Sequence, residues 1–319
     1  MPTPFFYYSA TYARSPFTLT ATTASSSQVV TIQRLTLNGA QILSWGDGQS
    51  TTITSGSTGT WPHTYASAGT YTITLPNARG IVGLQLQDAK LGALKTSQLR
   101  QSSLNYFVVT AITASTISSA DMSAWRPTTW YLYLMPAGGT YTISSADMSA
   151  WSPTNWELVF MPAGTYTIAS SDMSAWRPTN WVMYSMPAGT YTIASSDMSS
   201  WRPANWQLYS MPAGTYTIAS SDMSAWTGIT ILQYYLMPAI TVTANTLSTQ
   251  VAMTTLNLSN DALTAAAVNQ VLADLVTSLT GRGSVKCTTT LNGTNAAPTG
   301  TGITNKATLV AAGWTVTTN

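Results

Sequence analysis

Between residues 120 and 226, apolar and polar positions follow one short phrase written repeatedly. Its Trp-x-Leu-x segments begin at Trp130, Trp156, Trp181 and Trp206, with Met183 in place of Leu in the third. They alternate apolar residues with variable ones, the period of a strand with one buried side. Met-Pro-Ala-Gly follows, at Met135, Met161, Met186 and Met211, and then Thr-Tyr-Thr-Ile, which alternates again and fits a second strand on the opposite side. Asp-Met-Ser-(Ala/Ser)-Trp starts at Asp121, Asp147, Asp172, Asp197 and Asp222, at steps of 26, 25, 25 and 25 residues. That run reads as a short helical turn with Ser or Asp as N-cap, ended by Arg-Pro. A fixed period of this length means stacked coils, because one coil cannot bury its apolar side alone. The strand tryptophans and the methionines are therefore expected to form ladders in the core.

The frame extends beyond the clearest copies. Leu84-Gln-Leu86-x4-Leu91 returns as Leu256-Asn-Leu258-x4-Leu263, 172 residues later, which seven steps of about 25 residues span. About eight coils then fit between Gly80 and Leu263. The L-x-L-x-x-x-x-L spacing resembles the leucine-rich repeat, in an atypical form. The family's ladder position, usually Asn or Cys, carries Met135, Met161, Met186 and Met211, so the asparagine ladder of that family is expected to be missing.

The flanks read differently. Residues 1–77 hold short β-branched runs from Thr18, Gln28, Ala40, Ser50 and Thr70, separated by Gly, Asn and Ser turns. Trp45-Gly-Asp-Gly, His63-Thr-Tyr and Gly69-Thr-Tyr-Thr-Ile-Thr-Leu resemble the signature of the PKD-type immunoglobulin-like domain, with Ile73 where the family has Val. The resemblance implies a small β-sandwich acting as spacer or adhesion module. After residue 263, Thr264 is placed to N-cap a helix with Val268, Val271, Leu272, Leu275, Val276 and Leu279 on one face and Gly281 at C′. A second helix is expected over Asn305–Ala312, then a strand from Trp314. The fold expected is mainly β: a sandwich (1–77), a leucine-rich-repeat-like solenoid (78–263) and a small α/β capping unit (264–319). The capping segment resembles the C-terminal ends of repeat proteins from bacteriophages and bacterial surfaces.

Composition narrows the function. Charged residues make up only 7% and net charge is +2, which gives no footprint for nucleic acid. The balance is positive just before the repeats, through Arg79, Lys90, Lys95 and Arg100, and negative within them. Head-to-tail stacking of copies would use that asymmetry; the plainer reading is a solvated surface. Neither a membrane span nor a Sec signal is expected from the sequence. The single cysteine, Cys287, excludes an internal disulfide and reads as a small buried apolar residue. His63 is the only histidine and is expected to bond a turn. Phosphate-loop, zinc-protease and nucleophile-elbow motifs are all missing, and a glycosidase carboxylate pair has only Asp172 and Glu157 to draw on. The aspartate ladder offers one carboxylate per coil, too few oxygens for Ca²⁺. No cofactor, metal or catalytic residue is expected.

Variation among the copies concentrates on outward strand positions. One column reads Tyr131, Glu157, Val182, Gln207 and the next Tyr133, Val159, Tyr184, Tyr209. These residues are expected on one exposed sheet face, open either to partner recognition or to neutral drift. The expectation is a non-enzymatic structural or adhesion protein in many copies, most simply a virion component of tail-fibre or capsid-decoration type. Its partners would be other virion or surface proteins, or a host glycan or receptor. A bacterial surface or matrix adhesin and a polysaccharide depolymerase are the alternatives.

Overall fold

Alternation within the strand segments decides which side chains enter the core, and the stacking of copies does the rest. A computed structural model describes residues 15–218, 223, 226, 228–237 and 240–319. Asp222 and residues 1–14 of the N-terminal unit lie outside these. The chain is mainly β, with large sheets and a small C-terminal helical part.

Among the described residues a twelve-stranded sheet runs the length of the molecule. Its central strands, Tyr106–Thr110, Thr129–Tyr133, Asn155–Val159, Asn180–Tyr184, Asn205–Tyr209 and Ile231–Tyr235, are parallel neighbours. We call this the front sheet. A back sheet of seven short parallel strands includes Thr140–Ser144, Thr165–Ala169, Thr190–Ala194 and Thr215–Ile218, built from the Thr-Tyr-Thr-Ile runs. The Asp-Met-Ser-Ala-Trp runs form 3₁₀ turns between back and front strands, such as Ser170–Met173.

The front sheet is in phase with the sequence repeat: Trp130 pairs with Trp156, Trp156 with Trp181 and Trp181 with Trp206. The four indoles are fully buried and lie nearly parallel, with centroid separations of 5.6, 5.4 and 4.2 Å. Trp151, Trp176 and Trp201 make a second buried ladder edge-on to the first, Trp125 stands edge-on to Phe107, and each of the four donates its indole N–H to a carbonyl of the preceding coil. The first ladder's indole N–H groups are buried without a protein acceptor.

The back sheet is not in phase. Ile143 pairs with Tyr166, and Ile168 with Tyr191, so each strand slips two residues relative to the repeat. The slip sets Gly164, Gly189 and Gly214 beside the backbone of the previous coil's tyrosine. A Cβ on Gly189 would stand 2.7 Å from the Tyr166 carbonyl oxygen. Tyr141, Tyr166, Tyr191 and Tyr216 point inward, and their hydroxyls donate to Pro136, Pro162, Pro187 and Pro212 carbonyls. Met135, Met161, Met186 and Met211 join the core, as the pattern implies.

In the N-terminal unit, a five-stranded antiparallel sheet contains Phe17–Thr23, Gln41–Ser44, Ser50–Ile53 and Gly69–Leu75. Trp61–Tyr65, not read as a strand from sequence, pairs with Gln28–Leu37, which in turn pairs antiparallel with Ile81–Leu86. The front sheet therefore continues across residues 77 and 78. His63 bonds a turn as expected: its Nε2 lies 2.8 Å from Asp47 Oδ2, and its ring stacks on Trp45 at 4.7 Å.

At the C-terminal end, helix α1 (Ala265–Ser278) starts at the Thr264 cap, whose Oγ1 accepts from the Ala267 N–H. Gly281 is not the left-handed residue; a 3₁₀ turn, Leu279–Gly281, follows the helix, and the positive φ of 56° falls at Gly283. Gly281 is needed for space instead, since its Cβ would meet Val251 at 2.7 Å. Helix α2 spans Thr301–Ala311 and so begins before the expected Asn305. Its early glycine, Gly302, lies against Asn269 of α1, where a larger residue would collide. Strands Thr288–Leu291 and Thr315–Thr318 extend the front sheet in parallel, and Cys287 is buried.

Candidate binding face

Two outward columns of the front sheet carry the residues singled out from sequence. Register places Tyr131, Glu157, Val182 and Gln207 side by side, and likewise Tyr133, Val159, Tyr184 and Tyr209. All except Val159 are partly exposed. Val159, expected outward and free, is 8% exposed: its short side chain sits between Tyr133 and Tyr184 in register, and Phe160 rests on both rings.

The aromatic residues form a continuous stripe across the strands. Centroid separations are 5.9 Å for Tyr131–Tyr133, 5.8 Å for Tyr133–Phe160 and 4.7 Å for Phe160–Tyr184. They are 4.1 Å for Tyr184–Tyr209 and 4.4 Å for Tyr209–Tyr235. Phe160 and Tyr235 escaped the sequence reading. Phe160 precedes Met161 and looked like turn, while the strand of Tyr235 has Leu232 where the repeat has Trp.

Beside the stripe stands a row of left-handed residues. Leu134, Phe160, Ser185, Ser210 and Leu236 have φ between 50 and 54°, a conformation costing a side-chain-bearing residue about 1–2 kcal/mol. An inter-coil bond holds each there; Phe160 N–H, for example, donates to the Tyr184 carbonyl. Leu134, Phe160 and Leu236 are 46, 39 and 42% exposed, so the row adds apolar area to the stripe's border.

A third column lies on the same face. The Nδ2 of Asn180 donates to Asn155 Oδ1, and Asn205 to Asn180, each at 2.5 Å. An asparagine ladder thus exists, on the outward face at the first strand position. Sequence reasoning looked for it at the methionine position and passed over the repeated Asn-Trp pair.

The aspartates do not cap their turns. In the turns of Asp121, Asp147, Asp172 and Asp197 no side chain caps the N-terminus. Each carboxylate reaches the preceding coil instead. Ser119 donates to Asp147 at 2.6 Å, Ser145 to Asp172 and Ser170 to Asp197 at 2.5 Å, and Thr96 to Asp121 at 2.9 Å. Ser119, Ser145 and Ser170 also accept a backbone N–H, from Ser144, Ala169 and Ala194. The repeated carboxylates are clamps between coils. The first member of the row differs: Arg100 pairs with the buried Asp121, joining the basic segment to the repeats. Among the described residues no three His, Cys, Asp or Glu side chains converge as a metal site would require. No helix among them is long and apolar enough to cross a membrane.

In the two columns Glu157 is the one charged residue. Burial pushes its carboxyl above the usual range, and the Tyr131 hydroxyl beside it is raised to about 12, by burial first and then by Glu157 and Tyr133. Comparison with protein-family models, with curated proteins and with solved structures finds no match for this chain.

Proposed function

We propose that the chain is a non-enzymatic structural and adhesion protein of a bacteriophage virion, of tail-fibre or capsid-decoration type, present in many copies. In this reading the N-terminal unit is a PKD-type immunoglobulin-like sandwich, the middle a leucine-rich-repeat-like solenoid, and residues 264–319 its terminal unit. The front face is the binding surface. The observation that carries this is the stripe from Tyr131 to Tyr235, an unbroken row of partly exposed rings on a stiff stack of coils. Rings with hydroxyl handles supply apolar contact and hydrogen bonds at low cost in side-chain entropy.

Two measurements test it. The protein should sediment with purified virus particles; its absence from them would sink the virion assignment. Tyr133, Tyr184 and Tyr209 changed together to Ser should abolish attachment, while the Tyr→Phe triple, which keeps the stacked rings, serves as the folded comparison. Full attachment by a folded serine triple would move the binding function away from this face.

A further inference from the structure

One part of the front face is a groove rather than a stripe. It has a volume of about 280 Å³ and spans the strands Ile81–Leu86, Tyr106–Thr110, Thr129–Tyr133 and Asn155–Val159. Its shape follows from the register. Tyr106 lies opposite Thr129, and Val108 opposite Tyr131, so large and small residues alternate across the strands. Val108 and Thr129 make the floor. Tyr106 and Tyr131 stand on either side as diagonal neighbours, which in a sheet are about 7–8 Å apart, room for the face or edge of one saturated six-membered ring.

The polar groups around it are incompletely used. Gln85 accepts from the Tyr106 hydroxyl at 3.1 Å, which leaves its amide N–H₂ as a donor. Gln87 adds a second amide beside it. Glu157 closes the far end, half-buried, and among the described residues it takes part in no hydrogen bond or ion pair. Its carboxylate oxygens have no protein donor and are not sealed from solvent, so they are open to a ligand carrying hydroxyl donors. Outside the groove's lining, the Arg34 guanidinium lies over the Tyr106 ring, 4.1 Å from its centroid. Glu157 in the lining disfavours an anionic ligand, and Arg34 beside Tyr106 disfavours a cationic one.

Resting on the reading of the front face as a binding surface, we infer that this groove binds a neutral oligosaccharide. A pyranose stacks between Tyr106 and Tyr131, its hydroxyls donate to Glu157, and they accept from the Gln85 and Gln87 amides. Tyr131 and Glu157 are then specificity-determining, and the stripe beyond them is extra contact area.

The test uses the full chain and immobilised panels of neutral hexose oligosaccharides, uronic-acid oligosaccharides and lysine-rich peptides. Neutral oligosaccharides should bind, and Tyr131→Ala should weaken them at least about tenfold, the loss expected for one stacking contact. Glu157→Gln, which keeps one acceptor oxygen, should weaken them by about threefold to tenfold. Thr167→Ala, on the exposed side of the back sheet, should leave their affinity unchanged. Absence of neutral-sugar binding, tighter binding of acidic sugars or basic peptides, or equal affinity of wild type and folded Tyr131→Ala would overturn the inference. If sugar binding fails while the serine triple still abolishes attachment, the face remains a binding surface and only the ligand class is wrong.

Discussion

The front and back sheets are made from the same coils yet are stacked by different means. On the front, equivalent residues pair, and identical side chains sit on one another: tryptophan on tryptophan inside, asparagine on asparagine and tyrosine on tyrosine outside. On the back, every strand slips two residues, and the contact that matters is between glycine and the neighbouring backbone. Their outer surfaces differ as well. The back presents uniform exposed threonines, Thr165, Thr167, Thr190 and Thr192 among them, and the front presents residues that change from coil to coil. Uniformity outside therefore does not follow from stacking alone, since these threonines face water. Their β-branched shape suits a pleated surface. Variation on the front marks the side whose outer residues are free to serve something other than the fold.

The largest expected effect comes from breaking the front ladder inside. Trp181→Ala removes a fully buried indole that stacks on both Trp156 and Trp206. It should cost about 3–5 kcal/mol, read as a lower urea midpoint. A loss below about 1 kcal/mol would mean that the tryptophan ladder is not the main support of the stack.

The back sheet is broken by addition. Gly189→Ala places a methyl group 2.7 Å from the Tyr166 carbonyl oxygen and 3.0 Å from its Cβ. The strand must move, at a cost of about 1–3 kcal/mol. If this variant unfolds at the wild-type urea concentration, the two-residue slip is not a tight constraint.

These sites also show what was legible in the sequence. Periodicity placed Trp130, Trp156, Trp181 and Trp206 in register because each repeat supplies the same residue at the same phase. Alternation in Thr-Tyr-Thr-Ile gave the second strand on the opposite side, where Tyr141 and Ile143 are buried. What stayed hidden depended on relations between coils. The aspartates looked like caps because local sequence favours that role, while their partners Ser119, Ser145 and Ser170 lie 27 or 28 residues away. The slip of the back sheet is equally invisible, since both registers put tyrosine and isoleucine inside. The groove needs Gln85 and Tyr106, from coils whose letters depart from the repeat.

The outer surfaces give a smaller contrast. Tyr184→Ser removes a ring stacked on Tyr209 and touching Phe160, and should cost about 0.5–1.5 kcal/mol. Thr165→Ala on the exposed back should stay within about 0.5 kcal/mol of wild type. Equal effects in urea unfolding would erase the distinction between a packed front exterior and a merely well-shaped back one.

The smallest effect separates the faces by pH. Glu157 is half-buried on the front, and burial raises its carboxyl above the ordinary range in the folded chain. At low pH the group is protonated whether the chain is folded or not, and it contributes no pH dependence. As pH rises through the ordinary glutamate range, the unfolded chain loses this proton first, so the folded state is progressively disfavoured. The penalty is complete once pH passes the raised folded value. Glu157→Gln carries no charge at any pH. Its stability relative to wild type should therefore rise as pH climbs through the ordinary glutamate range and level off above the raised folded value, with a total below about 1 kcal/mol because a half-exposed group is screened by solvent. Urea midpoints of the two proteins across that range measure it. Thr167→Ala on the back removes no titratable group, and its difference from wild type should be flat. A flat or falling difference for Glu157→Gln would mean that the carboxylate is already satisfied in the unliganded chain, which would remove the reason for a hydroxyl-bearing ligand to seek it.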